Sequence, residues 1–355
     1  TSPFNFFQMT KIVKMHYFCP RILPQRFGVM LPKAKRMSKV LNFFKDWALP
    51  ISIVTGIVSY LVFDALGPQQ DIRTLAGRVV SILQPALLFC MLFLSFSRID
   101  PRQAKFKPWH IWLLLIQAGS FIALALAILL CRCSGAVRVL IESAMLCMIC
   151  PTATAAVVIT DKLGGDTAGT VMYTMMINVT TAFVASVFIP MLNPSSDITF
   201  LKAFGVMTAK VFSLRVMPLA LAMAVRYLLP KVNRAVCKPK DLAFYIWTIS
   251  LALALTVTTR SIVHTDVAWY FIVIIGVISL LCCILQFGLG HKIGSRYNDR
   301  ITCGQSFGQK NTVFLIWMGS TFLDPVTAVV GGLYSIWHNI INSRQLYLKK
   351  KEGQK

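Results

Sequence analysis

The chain has 355 residues, 56% hydrophobic and only 14% charged, with a mean hydropathy of +0.67. Soluble domains run at about half apolar and a quarter charged, so a water-soluble globular enzyme does not fit: there is more apolar surface than one aqueous core hides. The net charge of +23, from 36 Lys+Arg against 13 Asp+Glu, does not point to nucleic acid at this hydropathy, whereas basic loops flanking membrane spans explain both numbers.

Residues 1–36 contain no acidic residue and no apolar run long enough for a signal-peptide core, but do contain Pro20, Pro24 and Pro32. Residues 1–45 are therefore read as a disordered basic tail with no assigned function. Because residue 1 is Thr and Met37 opens a plausible inner-membrane start, the expectation for the upstream stretch is fragmentary or over-extended translation. From there, stretches of the length needed to cross a bilayer predict ten spans. They are Leu49–Leu66, Val79–Phe96, Ile111–Leu130, Val139–Thr160, Ala168–Leu192, Leu201–Leu229, Leu242–Thr258, Val267–Leu289, Thr302–Phe322 and Val326–Ile341. Charge supports this number independently. With both termini cytoplasmic, 27 Lys+Arg fall on the inner side and six in outer loops, namely Arg73, Arg78, Arg132, Arg138, Lys202 and Arg260.

Ten spans divide into five and five, residues 46–193 and 194–345, followed by a basic cytoplasmic tail at 346–355. An odd number per half inverts the second half relative to the first, the logic of inverted-repeat transporters. Leu114-Leu115-Ile116-Gln117 and Cys283-Ile284-Leu285-Gln286 each place a Gln inside the third span of its half. The next span of each half has a polar interruption: Cys150-Pro151-Thr152-Ala153-Thr154, and Cys303 through Asn311. Backbone that leaves the helix within hydrocarbon must be satisfied by protein, ion or a watery cavity, so the two interruptions are predicted to form a binding site near the midplane.

Cys90, Cys147, Cys150, Cys282, Cys283 and Cys303 lie in or beside apolar runs, where thiols usually pack. Cys131 and Cys133 pair closely but without a His, so no metal site is expected. No P-loop, zinc motif or nucleophile–base spacing is present, which argues against an enzyme. Glu142 is expected to pair with Arg138 one turn away. His338, beside Trp337 and Asn339, reads first as a packed histidine and second as a titrating one.

Gly308-Gln309-Lys310-Asn311, with Arg300 before it and Asp324-Pro325 and Gly332 to Asn339 after it, resembles the ninth and tenth helices of the bile acid:sodium symporter family. Cys150-Pro151-Thr152-Ala153-Thr154-Ala155-Ala156-Val157-Val158, the turn Leu163-Gly164-Gly165-Asp166 and the third-span Gln117 resemble its first half. The resemblance spans Leu49 to Gln345 and marks a divergent, bacterial-type member. It implies an all-α integral membrane fold of ten transmembrane helices in two inverted five-helix repeats, whose fourth and ninth helices unwind and cross beside a substrate cavity. It also implies alternating-access transport of a small organic anion, bile-acid-like or another carboxylate, with sodium coupling.

The departures bear on the ion. The family's Ser-Asn pair reads Ala155-Ala156, its Glu reads Ser306, and its second Gln reads Lys310, so a carboxylate is lost and an ammonium gained. Hard cations need oxygen ligands. The expectation is that Lys310 takes the place of one sodium, with Gln117, Ser306 and the unwound backbone carbonyls as partners, leaving sodium coupling open and no other cofactor. The alternative is a Lys310 that snorkels to the interface. Substrate or ion contacts are expected from Gln117, Thr154, Thr170, Thr174, Ser306, Gln309, Lys310 and Asn311, with Arg215 in the sixth span as a possible anion contact. A transport-inactive receptor or scaffold of the same fold is the second reading. Expected partners are a small organic anion and membrane lipid, the latter near Lys33–Lys39 and Lys349–Lys351; oligomeric state stays open. The expected location is the inner membrane.

Overall fold

A computed structural model describes residues 47–98, 105–193, 199–211, 217–239, 241–264 and 268–352. The expected basic tail at 1–45 and Arg215 lie outside the described residues. The helices, in order, are α1 (Ala48–Ala65), α2 (Gln70–Arg98), α3 (Pro108–Leu130), α4 (Gly135–Ile149), α5 (Ala155–Leu163), α6 (Thr167–Leu192) and α7 (Phe200–Val211). Then come α8 (Met217–Leu228), α9 (Pro230–Cys237), α10 (Leu242–Val263), α11 (Trp269–Ser295), α12 (Arg300–Gly308), α13 (Thr312–Phe322), a 3-10 turn (Pro325–Ala328) and α14 (Val329–Glu352).

Six of these, α1, α2, α3, α6, α10 and α11, are long and apolar enough to cross a membrane. Leu61, Ile82, Leu115, Val273, Leu281 and Ile284 stand outward on them as exposed apolar side chains, which suits hydrocarbon and not water. The protein is an all-helical membrane protein. Two elements outrun their apolar cores. Helix α2 begins at Gln70, before the apolar run, with Asp71 in its first turn. Helix α14 continues through Lys349, Lys350 and Lys351, where cations complement the negative end of the helix dipole, so the stretch expected as a separate tail is helical to Glu352.

Helix α10 packs along α1 and α2, and α2 also meets α8. Buried Leu49, Met91, Leu251 and Leu255 join this group to Ile159 of α5. A second apolar cluster runs through α3, α4, α6, α11, α13 and α14, around Met145, Leu146, Phe314 and Met318.

Helices α11 and α12 meet along a glycine seam. A Cβ on Gly290 would lie 2.7 Å from the Cys303 carbonyl oxygen, and one on Gly294 2.7 Å from the Asp299 carbonyl oxygen. From the other side, a Cβ on Gly304 would strike the His291 ring and one on Gly308 the Phe287 ring. Small residues four apart let two backbones approach closely, which is how helices associate where apolar burial offers no drive.

An ion cluster ties three helix starts together. Lys107, just before α3, lies 2.9 Å from Asp166, the N-cap of α6, and 2.6 Å from Asp299 ahead of α12. The Trp109 indole N–H also donates to Asp299, and the Asp166 N–H donates to the Thr302 hydroxyl. Helix α5 closes at Gly164, whose φ of 79° lies in the left-handed region that glycine adopts without strain. Burial disfavours the charge of Lys107, but its bonds to Asp299 and Asp166 outweigh this and raise its pKa above the ordinary lysine value. At Asp166 burial works against ionisation, yet the Gly169 N–H and Lys107 hold its carboxyl below the usual range.

Two outcomes follow. The Asp166 contribution to stability is present above about pH 4 and is lost as pH falls through its depressed pKa. The Lys107 contribution is present below about pH 10.4 and is lost as pH rises through its raised pKa. The melting temperature against pH should therefore fall at both ends, and Lys107→Met should lower the plateau and flatten both edges. Gly290→Ala should cost about 1–3 kcal/mol through overpacking at the seam, read as a lower midpoint in detergent unfolding.

Candidate functional site

Two helices stop inside the protein, and their broken ends lie against each other. Helix α4 ends at Ile149 and the chain resumes as α5 at Ala155; α12 ends at Gly308 and the chain resumes as α13 at Thr312. Thr152 and Lys310 form an antiparallel bridge. Its hydrogen bonds run both ways: the Ala153 N–H donates to the Gln309 carbonyl at 2.8 Å, and the Asn311 N–H to the Pro151 carbonyl at 2.9 Å.

Pro151 has no N–H and cannot continue the helical ladder, so the carbonyls before it need other donors. Gln117 of α3 donates its amide to the Ile149 and Cys150 carbonyls at 3.2 and 2.8 Å. The Thr181 hydroxyl also donates to Ile149, and the Gln286 amide donates to Cys147. On the other break, the Thr152 hydroxyl donates to the Ser306 carbonyl at 2.5 Å, the Tyr334 hydroxyl to Gly308 at 2.8 Å, and the Cys150 thiol to Asn311 at 3.1 Å. Asn311 then caps α13, its side chain accepting from the Phe314 N–H.

The side chains at the crossing are in the opposite condition. Ser306, Gln309 and Lys310 are fully buried. The Ser306 hydroxyl, both polar atoms of the Gln309 amide and the Lys310 ammonium have no hydrogen-bond partner among the described residues. Lys310 Nζ lies 5.0 Å from the Phe307 ring centroid and within electrostatic reach of the thiols of Cys150, Cys147, Cys283 and Cys282. A buried unpaired polar group costs about 1–3 kcal/mol, and a charged one more. Satisfied backbone around unsatisfied side chains is what a polar ligand site between helices presents.

Gln117, Ser306, Gln309, Lys310 and Asn311 are thus gathered at the crossing. Thr154 is half-buried, directly before α5. Thr170 and Thr174 stand on α6 and bond locally, Thr170 to Thr160 and Asp166, Thr174 to the Thr170 carbonyl. The expected pairing of Lys310 with Gln117 and Ser306 is not formed. The Gln117 amide N–H group is engaged by carbonyls, and its oxygen accepts from the Tyr173 hydroxyl at 2.9 Å. Nor does Lys310 snorkel, because its side chain has no exposure.

Glu142 pairs with Arg138 at 2.7 Å as its spacing indicated, and also accepts from the Asp324 N–H. His338 packs edge-on against Tyr334 at 5.7 Å, with its Nδ1 unpartnered among the described residues. The sequence reading missed Thr152, Tyr173, Thr181 and Tyr334. The available signal was a hydroxyl within an apolar span, which needs a buried acceptor.

Gln117→Leu leaves the Cys150 carbonyl and the Tyr173 hydroxyl unpaired and should cost about 2–4 kcal/mol of stability, whereas Tyr173→Phe should cost about 1 kcal/mol. Unfolding of both variants in detergent micelles measures the difference. No protein-family model matches this chain, and no curated protein sequence matches it.

Proposed function

We propose that this protein is a secondary transporter that moves a small organic anion by alternating access, as a divergent member of the bile acid:sodium symporter family. In this reading the chain crosses the inner membrane ten times in two inverted five-helix repeats, with both termini cytoplasmic. The interrupted helices α4–α5 and α12–α13 are then the fourth and ninth spans. The observation that carries the reading is the buried, unpartnered set Ser306, Gln309 and Lys310 at the crossing of two broken helices. An ammonium in low dielectric gains most from an anion, and an arriving carboxylate supplies acceptors for Lys310 and for the Gln309 amide.

The donor set is a poor fit for sodium. The Gln117 oxygen is taken by Tyr173, the Thr170 and Thr174 hydroxyls bond locally, and the lysine brings a charge of the same sign. We therefore read transport as not coupled to sodium at this position. One observation favours a transport-inactive receptor or scaffold instead: Gln117, Thr170 and Thr174 direct their polar atoms to the protein itself.

The test is melting temperature in sodium chloride against choline chloride at equal ionic strength, with a panel of small carboxylates. Proteoliposome uptake of any carboxylate that stabilises follows. Carboxylate-dependent, sodium-independent stabilisation is expected, with Lys310→Met lowering uptake at least tenfold. Lys310→Gln with Ser306→Glu should introduce a sodium response. Sodium-specific stabilisation of the unaltered protein refutes the lysine-for-sodium reading, and binding without saturable uptake favours the receptor.

A further inference from the structure

A second polar site lies away from the crossing, between α1, α2 and α10. These helices line an open cavity of about 1180 Å³. Along α2 the residues facing it are Gln70, Thr74, Arg78, Ser81 and Gln84, with Arg73 beside them. Steps of three and four place these on one helix face, a polar stripe about 21 Å long at 1.5 Å per residue. Helix α1 adds Thr55 and Ser59, α10 adds Thr256 and Arg260, and His264 follows as the C-cap of α10. Phe63, Val80, Ile249 and Leu253 supply apolar wall.

Three arginines thus line one space, and no carboxylate is among its lining residues. Arg73 is engaged: it lies 3.1 Å from Asp64 and donates to the Pro68 carbonyl. His264 shares Asp64 at 3.5 Å and meets the Tyr60 hydroxyl at 2.6 Å. Arg78 and Arg260 have no carboxylate partner among the described residues. The Arg260 guanidinium reaches across toward α2, lying 4.0 Å from where a Cβ on Gly77 would stand. Gly56 fixes the wall opposite, where the Thr256 hydroxyl donates to its carbonyl at 3.0 Å and a Cβ would crowd Leu255.

We propose that this cavity is a binding site for an amphipathic oxyanion, with its head held by Arg78 and Arg260 and its apolar body against Phe63, Val80, Ile249 and Leu253. Guanidinium groups grip carboxylate or phosphate oxygens through paired hydrogen bonds. The polar stripe gives the head a path along α2, and the volume exceeds that of a bare inorganic anion many times over. A free organic anion and an anionic lipid headgroup share this chemistry. The proposal does not rest on transport or on the crossing.

The test is dodecanoate binding to the purified full chain in maltoside micelles, followed by thermal shift and titration, with dodecanol as the uncharged control. Dodecanoate should bind and dodecanol at least tenfold more weakly. Arg78→Gln with Arg260→Gln should weaken dodecanoate at least tenfold, and the Lys pair should fall between, keeping charge but losing the fork. Lys202→Gln with Arg234→Gln, the same charge change away from the cavity, should leave binding unaltered. Equal binding of dodecanol, or full dodecanoate affinity in the folded Gln pair, overturns the proposal. In nanodiscs, weaker dodecanoate binding in phosphatidylglycerol than in phosphatidylcholine assigns the site to lipid headgroups, and equal binding assigns it to free anions.

Discussion

Everything at the centre of this protein follows from one constraint: a peptide group in apolar surroundings has to find a partner. A helix meets that demand by itself, and a chain that breaks its helix gives up the solution. Here two breaks answer each other, with Pro151 and Gln309 carbonyls receiving N–H groups from across the crossing. Side chains supply the remaining donors, from Gln117, Thr152, Thr181, Gln286 and Tyr334. Each substitutes for a helical bond at a cost in side-chain freedom. That cost makes sense only if irregular backbone is wanted at this depth, because an unbroken helix would have needed none of them.

Placement of the crossing depends on elements at a distance from it. The glycine seam brings α12 against α11 closely enough to fix where its end falls, and Lys107 fixes where it begins through Asp299. Since the same lysine holds Asp166, the start of α6 and the start of α12 share one anchor. Rigid placement of this kind is what a site needs if its unpaired side chains are to stay unpaired until a ligand comes, rather than turning toward one another.

Much of this was legible in the residues, and what was not has identifiable causes. Pro151 announced the first break, because a missing N–H is a local property. In sequence the second interruption runs from Cys303 through Asn311, but the chain stays helical through Gly308. Gln305 there bonds to Asn342 and Gln345 of α14, and the glycines pack on α11. Both effects depend on partners distant in sequence, so polar composition overstated the break. Gln117 was visible as a polar residue in an apolar span, but its choice of carbonyls over the Lys310 ammonium was not. Arg73, Arg78 and Arg260 were counted as loop charges, since nothing local in α2 and α10 shows that their polar faces meet. The expected Glu142–Arg138 pair formed because four residues on one helix are neighbours whatever the tertiary structure does.

The mutual dependence of the two breaks also has a timetable. Cys150 and the residue whose carbonyl it reaches, Asn311, are 161 positions apart. At about 5–20 residues per second of synthesis, the first break exists for roughly 8–32 seconds before its counterpart has left the ribosome. During that interval the Pro151 carbonyl lacks its eventual donor, and α4 and α5 are held only by what the first half offers, chiefly Gln117 and Thr181. The early half must therefore wait in the membrane as an incomplete object.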